Sequence, residues 1–190
     1  MLLLAGCDLV GALSTGASPV DLGTPVLPPC ATSVDSPAPR GCVTGALSCG
    51  AVVDGTTLGG DSAWDDAFYS KAFCFPAGDR HSGSERVYVL DLPELTEATI
   101  TLTSDCVDLD LAAVAWAYDG RSCPTLGHAI AECEGDAKRG GGQVKLQAFK
   151  PRTYLVAVDG KAGTVGPYSL SVSCQTLRSP EERNLPPGKR

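Results

Sequence analysis

Most of this chain is a succession of short runs in which apolar and polar residues alternate, each closed by turn-forming residues. A period of two marks strands with one buried face. Glu85 to Leu92 places Tyr88, Leu90 and Leu92 on one side, and Glu97 to Ser104 sets Ile100 and Leu102 against Thr99, Thr101 and Thr103. Gln143 to Phe149 puts Val144, Leu146 and Ala148 together. Leu109 to Tyr118 is apolar on both faces, which predicts a central strand covered on each side. Arg152 to Val158 and Tyr168 to Cys174 read as a hairpin across Asp159-Gly160-Lys161-Ala162-Gly163, with Tyr154, Val156, Val158, Tyr168, Leu170 and Val172 inward. Ala51 to Leu58 and Ala67 to Phe75 complete about eight strands. With 22 Gly, 14 Pro and no long apolar stripe of period 3.6, little helix is expected. The fold class is all-β, a single antiparallel β-sandwich stapled by disulfides.

Nine cysteines are many for a chain of this length, and none forms the CxxC pair of a zinc ribbon or thioredoxin-type site. Disulfides are therefore expected, and with them an oxidising compartment. An odd count leaves one cysteine with a separate fate. Cys123 and Cys133 bracket a Gly- and Pro-containing loop, which predicts a loop staple. Cys49 opens the domain and Cys174 ends its last strand, so they are expected to join first and last strands. Cys74 with Cys106 follows by elimination, and Cys30 with Cys42 is expected to clip the segment before the domain.

The odd cysteine is Cys7. Leu4-Ala5-Gly6-Cys7 resembles the lipobox that closes a bacterial lipoprotein signal peptide. In that family small residues precede the cysteine, its thiol is diacylated, and cleavage leaves it first in the mature protein. The resemblance implies lipidation at Cys7, a lipid-anchored protein of the cell envelope, and residues 1–6 as the end of a signal segment. Six residues cannot hold a charged n-region and a full apolar core, so an upstream start is expected. Residues 7–41, rich in Gly, Ala, Ser, Thr and Pro, are read as a tether, 42–177 as the domain, and 178–190 as a polar tail.

Four segments carry a second resemblance. Glu85-Arg86-Val87-Tyr88-Val89, Asp108-Leu109-Asp110-Leu111, Thr153-Tyr154-Leu155-Val156-Ala157-Val158-Asp159-Gly160 and Gly166-Pro167-Tyr168-Ser169-Leu170-Ser171-Val172 follow in the order seen in the bacterial pre-peptidase C-terminal domain. The chain is similar to that family over roughly 49–174. The resemblance implies a jelly-roll-like sandwich on an exported protein, sometimes beside a secreted peptidase, and in some members calcium binding.

Catalytic chemistry needs a nucleophile near a base, paired carboxylates or a metal cluster. The chain has two histidines. His81, in Gly78-Asp79-Arg80-His81-Ser82-Gly83, and His128, inside the Cys123 to Cys133 loop, both read as solvated loop residues. Gly60-Asp61-Ser62 lacks the strand-to-helix context of a GDSL-type hydrolase. No enzymatic activity is expected. A net charge of -7 without a basic stripe argues against nucleic acid as a partner. Asp61, Asp65 and Asp66, and Asp105, Asp108, Asp110 and Asp119, are oxygen-rich groups of the kind that suits calcium, with Asp108 and Asp110 as the candidate ligands. The functional expectation is a binding or adhesion module for polysaccharide or protein, using loops at one end of the sandwich or an aromatic face of Trp64, Phe68 and Tyr69, or of Trp116 and Tyr118. A structural accessory of the cell surface is the alternative.

Overall fold

The computed structural model describes residues 35–75 and 81–178. The expectations for Cys7, for Cys30, for most of the tether and for nearly all of the tail lie outside them. In chain order the elements are β1 (Gly45–Leu47), β2 (Val52–Thr56), α1 (Asp66–Ala72), β3 (Arg86–Leu92), β4 (Thr96–Thr103), β5 (Leu109–Ala115), β6 (Cys133–Asp136), β7 (Gln143–Ala148), β8 (Arg152–Gly160) and β9 (Pro167–Thr176). They form two sheets, β1-β3-β8-β5-β6 and β2-β9-β4-β7. Every strand pair is antiparallel except β1 with β3.

The two faces of the first sheet explain its sequence. Tyr88, Leu90 and Leu92 of β3, Leu109, Leu111 and Ala113 of β5, and Tyr154, Val156 and Val158 of β8 point at the second sheet and meet Ile100, Leu146, Leu170 and Val172. The alternate residues, Val87, Ala112, Val114, Leu155 and Ala157, enter a second core on the outer side. That core is roofed by Trp64, Phe68, Tyr69 and Ala72. Strands buried on both faces read as continuous apolar runs, and β5 and β8 do so.

The same distinction separates β8 from β9. These strands belong to different sheets, so the hairpin expected across 159–163 is corrected to a crossing from one layer to the other. β8 is buried on both faces, whereas β9 alternates and fits a sheet with one solvated side. The turn is tight, since a Cβ on Gly160 would lie 1.9 Å from the Thr164 carbonyl oxygen.

The strand expected over Ala67–Phe75 is a helix instead. Asp65 caps it, accepting a hydrogen bond from the Phe68 amide at 2.9 Å, Asp66 and Lys71 have the signs that suit the helix dipole, and Phe73 ends it at φ 59°. Trp64, Phe68 and Ala72 recur every four residues, with Tyr69 beside them, so one side of a short helix is fully apolar. Asp65→Ala should cost about 1 kcal/mol in a urea titration, with the β signal retained. A cost indistinguishable from zero would show that the cap does not hold the helix.

Tertiary packing also sets the disulfides. Cys49 joins Cys174. Cys123 joins Cys42 rather than Cys133, and Cys74 joins Cys133 rather than Cys106. The reason is β6, which was not expected. Its pairing with β5 carries Cys133 to the sheet edge, where the Cys74 carbonyl lies against Gly135. The 116–132 loop is then free to cross the outer core toward Cys42, which removes the expected clip between Cys30 and Cys42. Cys106 is also disulfide-bonded. Part of the expected tether packs on the domain: the Ser36 hydroxyl accepts from the Thr56 amide at 2.7 Å, and buried Arg86 donates to the carbonyls of Pro37, Thr56 and Leu58.

Candidate functional site

Two places on the first sheet carry chemistry, one at each end of its central strands. At the first, the outward phase of three neighbouring strands runs out into carboxylates. Val87, Ala157 and Ala112 give way to Glu85, Asp159 and Asp110 one step further along. Asp110 pairs directly with Asp159, and the register of Arg86 with Val158 brings Glu85 to the other side of Asp159. Three acids therefore line up across the sheet, exposed by 2%, 1% and 0%. Like charges opposed in this way destabilise a sheet, and buried charges need partners.

The partners come from the roof. Glu85 accepts from the amides of Ala63 at 2.9 Å and Trp64 at 3.2 Å. Asp159 accepts from the Tyr69 hydroxyl at 2.9 Å and the Gly160 amide at 2.6 Å. Asp110 faces His81 Nε2 at 2.8 Å and Lys161 Nζ at 3.3 Å through its Oδ2. His81 is buried, not solvated as its turn-like neighbours suggest. Its Nδ1 lies 3.2 Å from Asp66 Oδ1, and its ring stacks on Phe75 at 4.5 Å.

Burial and the charge of Asp159 push Glu85 up to about 8, against the pull of its two amide donors. Burial raises Asp159 to about 6, opposed by the Tyr69 hydrogen bond and the charge of His81. For His81 burial acts downward, but its hydrogen bond to Asp110 and the charges of Asp159 and Asp110 outweigh it, and its pKa is raised. Burial and the charge of Asp159 hold the Tyr69 hydroxyl well above its ordinary value. The cluster meets its excess of carboxylates by holding protons.

This arrangement redistributes the acids read as candidate calcium ligands. Asp110 already carries His81 and Lys161 on one oxygen, Asp66 holds His81, Asp65 caps α1, and Asp119 accepts from the amides of Arg121 and Ser122. Among the described residues no three His, Cys, Asp or Glu side chains are arranged to hold a metal ion. Ser62 of the GDS sequence donates to the Gly83 carbonyl at 2.8 Å. Neither Glu85 nor Asp159 stood out as a site residue in the sequence. The available signal was phase: each acid stands two residues beyond an apolar outward residue, Val87, Ala157 or Ala112.

The second place is a cleft at the far end of β5 and β8. There β5 runs into Trp116, whose amide donates to the Thr153 carbonyl at 3.1 Å. The Trp116 indole is half-buried, its Nε1 donates to the Ser122 carbonyl at 3.2 Å, and exposed His128 stands edge-on to it at 5.0 Å. Trp116, Asp91, Leu92, Pro151, Arg152 and Thr153, with Ala117, Ala129 and Ala131, enclose a cleft of about 550 Å³. Arg152 is held by Glu132 at 2.5 Å and lies over the Tyr154 ring, and the Thr153 hydroxyl donates to Asp91. A neighbouring hollow of about 390 Å³ shares Pro151 and Arg152 and adds Phe149, which is 41% exposed. The other expected aromatic face does not exist, because Trp64, Phe68 and Tyr69 are all buried and Trp64 Nε1 donates to the Pro124 carbonyl at 2.8 Å.

No protein family and no curated protein matches the sequence. Similar solved structures include the pre-peptidase C-terminal domain of a collagenase from Bacillus anthracis, 15% identical over 71% of this chain and 100% of that one, with a TM-score of 0.44. PliG of Aeromonas hydrophila, a periplasmic inhibitor of g-type lysozyme, is 18% identical over 75% of this chain and 98% of its own, with a TM-score of 0.40. CorA, a surface-associated protein important in copper acquisition by Methylomicrobium album BG8, is 11% identical over 72% and 100%, with a TM-score of 0.41.

Proposed function

We propose that this chain is a non-catalytic binding module of the cell envelope and that it takes a polysaccharide in the cleft beside Trp116. The observation that carries the reading is the half-buried indole forming a wall of a 550 Å³ cleft, with a carboxylate, a guanidinium and a hydroxyl at its rim. A sugar ring offers a C–H face to an indole and hydroxyls to such groups. The volume lies in the range of small-ligand sites. Arg152 and Thr153 are already fixed by Glu132 and Asp91, which lowers the ordering entropy that binding must overcome. Disulfides at Cys42–Cys123, Cys49–Cys174 and Cys74–Cys133 support an oxidising compartment outside the cytoplasm. The LAGC sequence supports a lipid anchor on Cys7.

Calorimetry of the purified chain against a panel of envelope and extracellular polysaccharides tests this. Trp116→Ala should weaken binding by about tenfold or more, which corresponds to about 1.4 kcal/mol, while the circular dichroism stays unchanged. A panel with no binder, or a variant that binds as well as the parent, would sink the reading and favour a structural role in the envelope.

A further inference from the structure

The acid row holds a lysine amine against a buried carboxylate. Asp110 is 0% exposed, and its second oxygen, Oδ1, is buried without a hydrogen-bond partner among the described residues. Lys161 Nζ lies 3.3 Å from Oδ2 of the same carboxylate, and His81 Nε2 lies 2.8 Å from that oxygen. The backbone fixes the three groups together. Leu109 pairs with Gly160, one residue from each partner, and His81 forms a bridge with Lys161 itself. The Thr164 amide closes the turn on the Lys161 carbonyl at 2.9 Å, and Asp66 orients the His81 ring from its far side.

We propose that Lys161 Nζ and Asp110 Cγ become joined by an intramolecular amide bond, a covalent cross-link between β5 and the turn that leaves β8. One proton passes from the Lys161 ammonium to Asp110 Oδ2, leaving a neutral amine and a carboxylic acid. The amine lone pair forms the C–N bond at Cγ. His81 Nε2–H donates to Oδ2 as the bond from Cγ to that oxygen breaks, and the nitrogen's excess proton returns to the imidazole. One water leaves, nothing is oxidised or reduced, and no co-reactant is consumed. Two features favour a condensation that fails between free groups in water. The two side chains are held together by the backbone pairing, and effective molarities of roughly 10⁵ M and above are reached where groups are so positioned. The burial of Asp110 also keeps out the water that would reverse the step.

Mass spectrometry of the full chain after complete reduction is the test. The expected mass is one water below that of the sequence, and trypsin should leave Lys161 uncut, in a branched peptide that carries the segment around Asp110. Lys161→Arg preserves the charge pair but cannot acylate in this way, so it should return the full mass in a folded protein. Asp110→Ala should do the same. His81→Gln keeps both partners and should leave a large uncrosslinked fraction in freshly purified protein. A wild-type chain of full sequence mass would overturn the proposal. So would a water loss that persists in Lys161→Arg, which would assign it to succinimide formation at one of the Asp-Gly sequences. Neither outcome touches the cleft at Trp116.

Discussion

Replacing Cys49 and Cys174 together by alanine should lower the unfolding free energy by about 5 kcal/mol, the chain-entropy value for a loop of this length. The two are 125 residues apart, so the bridge closes nearly the whole domain, from the turn after β1 to the late part of β9. Local pairing helps to keep the ends in place: the Gly50 amide donates to the Val172 carbonyl at 2.8 Å, and β2 pairs with β9 immediately beyond. The native geometry should therefore survive, and the loss falls on the unfolded chain, which gains freedom. Cys42–Cys123 and Cys74–Cys133 close loops of 81 and 59 residues. Loop-closure entropy grows only with the logarithm of length, so removing either should cost less by under about 1 kcal/mol. Domains of this size are stable by only about 5–15 kcal/mol, and the double variant should melt at a visibly lower urea concentration. A change below about 1 kcal/mol would mean that the reduced chain is already constrained by other contacts.

The acid row gives the second large effect, with an unusual direction. Glu85 goes from an ordinary value of 4.5 to about 8 on folding, and Asp159 from 3.8 to about 6. Between each pair of values the native state binds a proton that the unfolded chain has lost, so stability falls as the pH rises through that window. Where Asp110 keeps its carboxylate, as in Lys161→Arg, His81 acts in the same sense, because a raised imidazole contributes fully below 6.5 and loses its contribution as the pH climbs through the folded value. At about 1.4 kcal/mol per pKa unit, Glu85 alone implies a loss of several kcal/mol between pH 4.5 and 8. The melting temperature should be highest near pH 5 and decline toward pH 8. Glu85→Gln keeps a side-chain acceptor toward the Ala63 and Trp64 amides, cannot ionise, and should flatten most of the decline. A profile that is flat or rises between pH 5 and 8 would contradict the burial of these three groups as a proton-holding set.

The sites differ in how far they could be read in advance. Trp116 and Tyr118 could be singled out as aromatic residues at the end of an apolar run, but the cleft beside Trp116 also needs Asp91, Arg152 and Thr153, brought there from β3 and β8. His81 and the acids were harder. A histidine among Gly, Asp, Arg and Ser reads as solvated, and only a roof over the outer face of the first sheet buries it. Phe68 and Tyr69 are adjacent and would point to opposite faces of a strand; only the helix capped by Asp65 turns both inward.

By itself the sequence determined the all-β class, the positions of β3, β4, β5, β7, β8 and β9 to within a few residues, and the inward set of each, because a period of two is local and each strand carries its own. It also marked β5 as covered on both sides, since no solvated face would carry so long an apolar run. Only the tertiary structure decided which strands share a sheet, which cysteines meet, and that Glu85, Asp159 and Asp110 stand in one row. Those are contacts between residues that are tens of positions apart. They depend on β6 joining the edge of the first sheet and on α1 closing its outer face, neither of which leaves a periodic trace long enough to recognise.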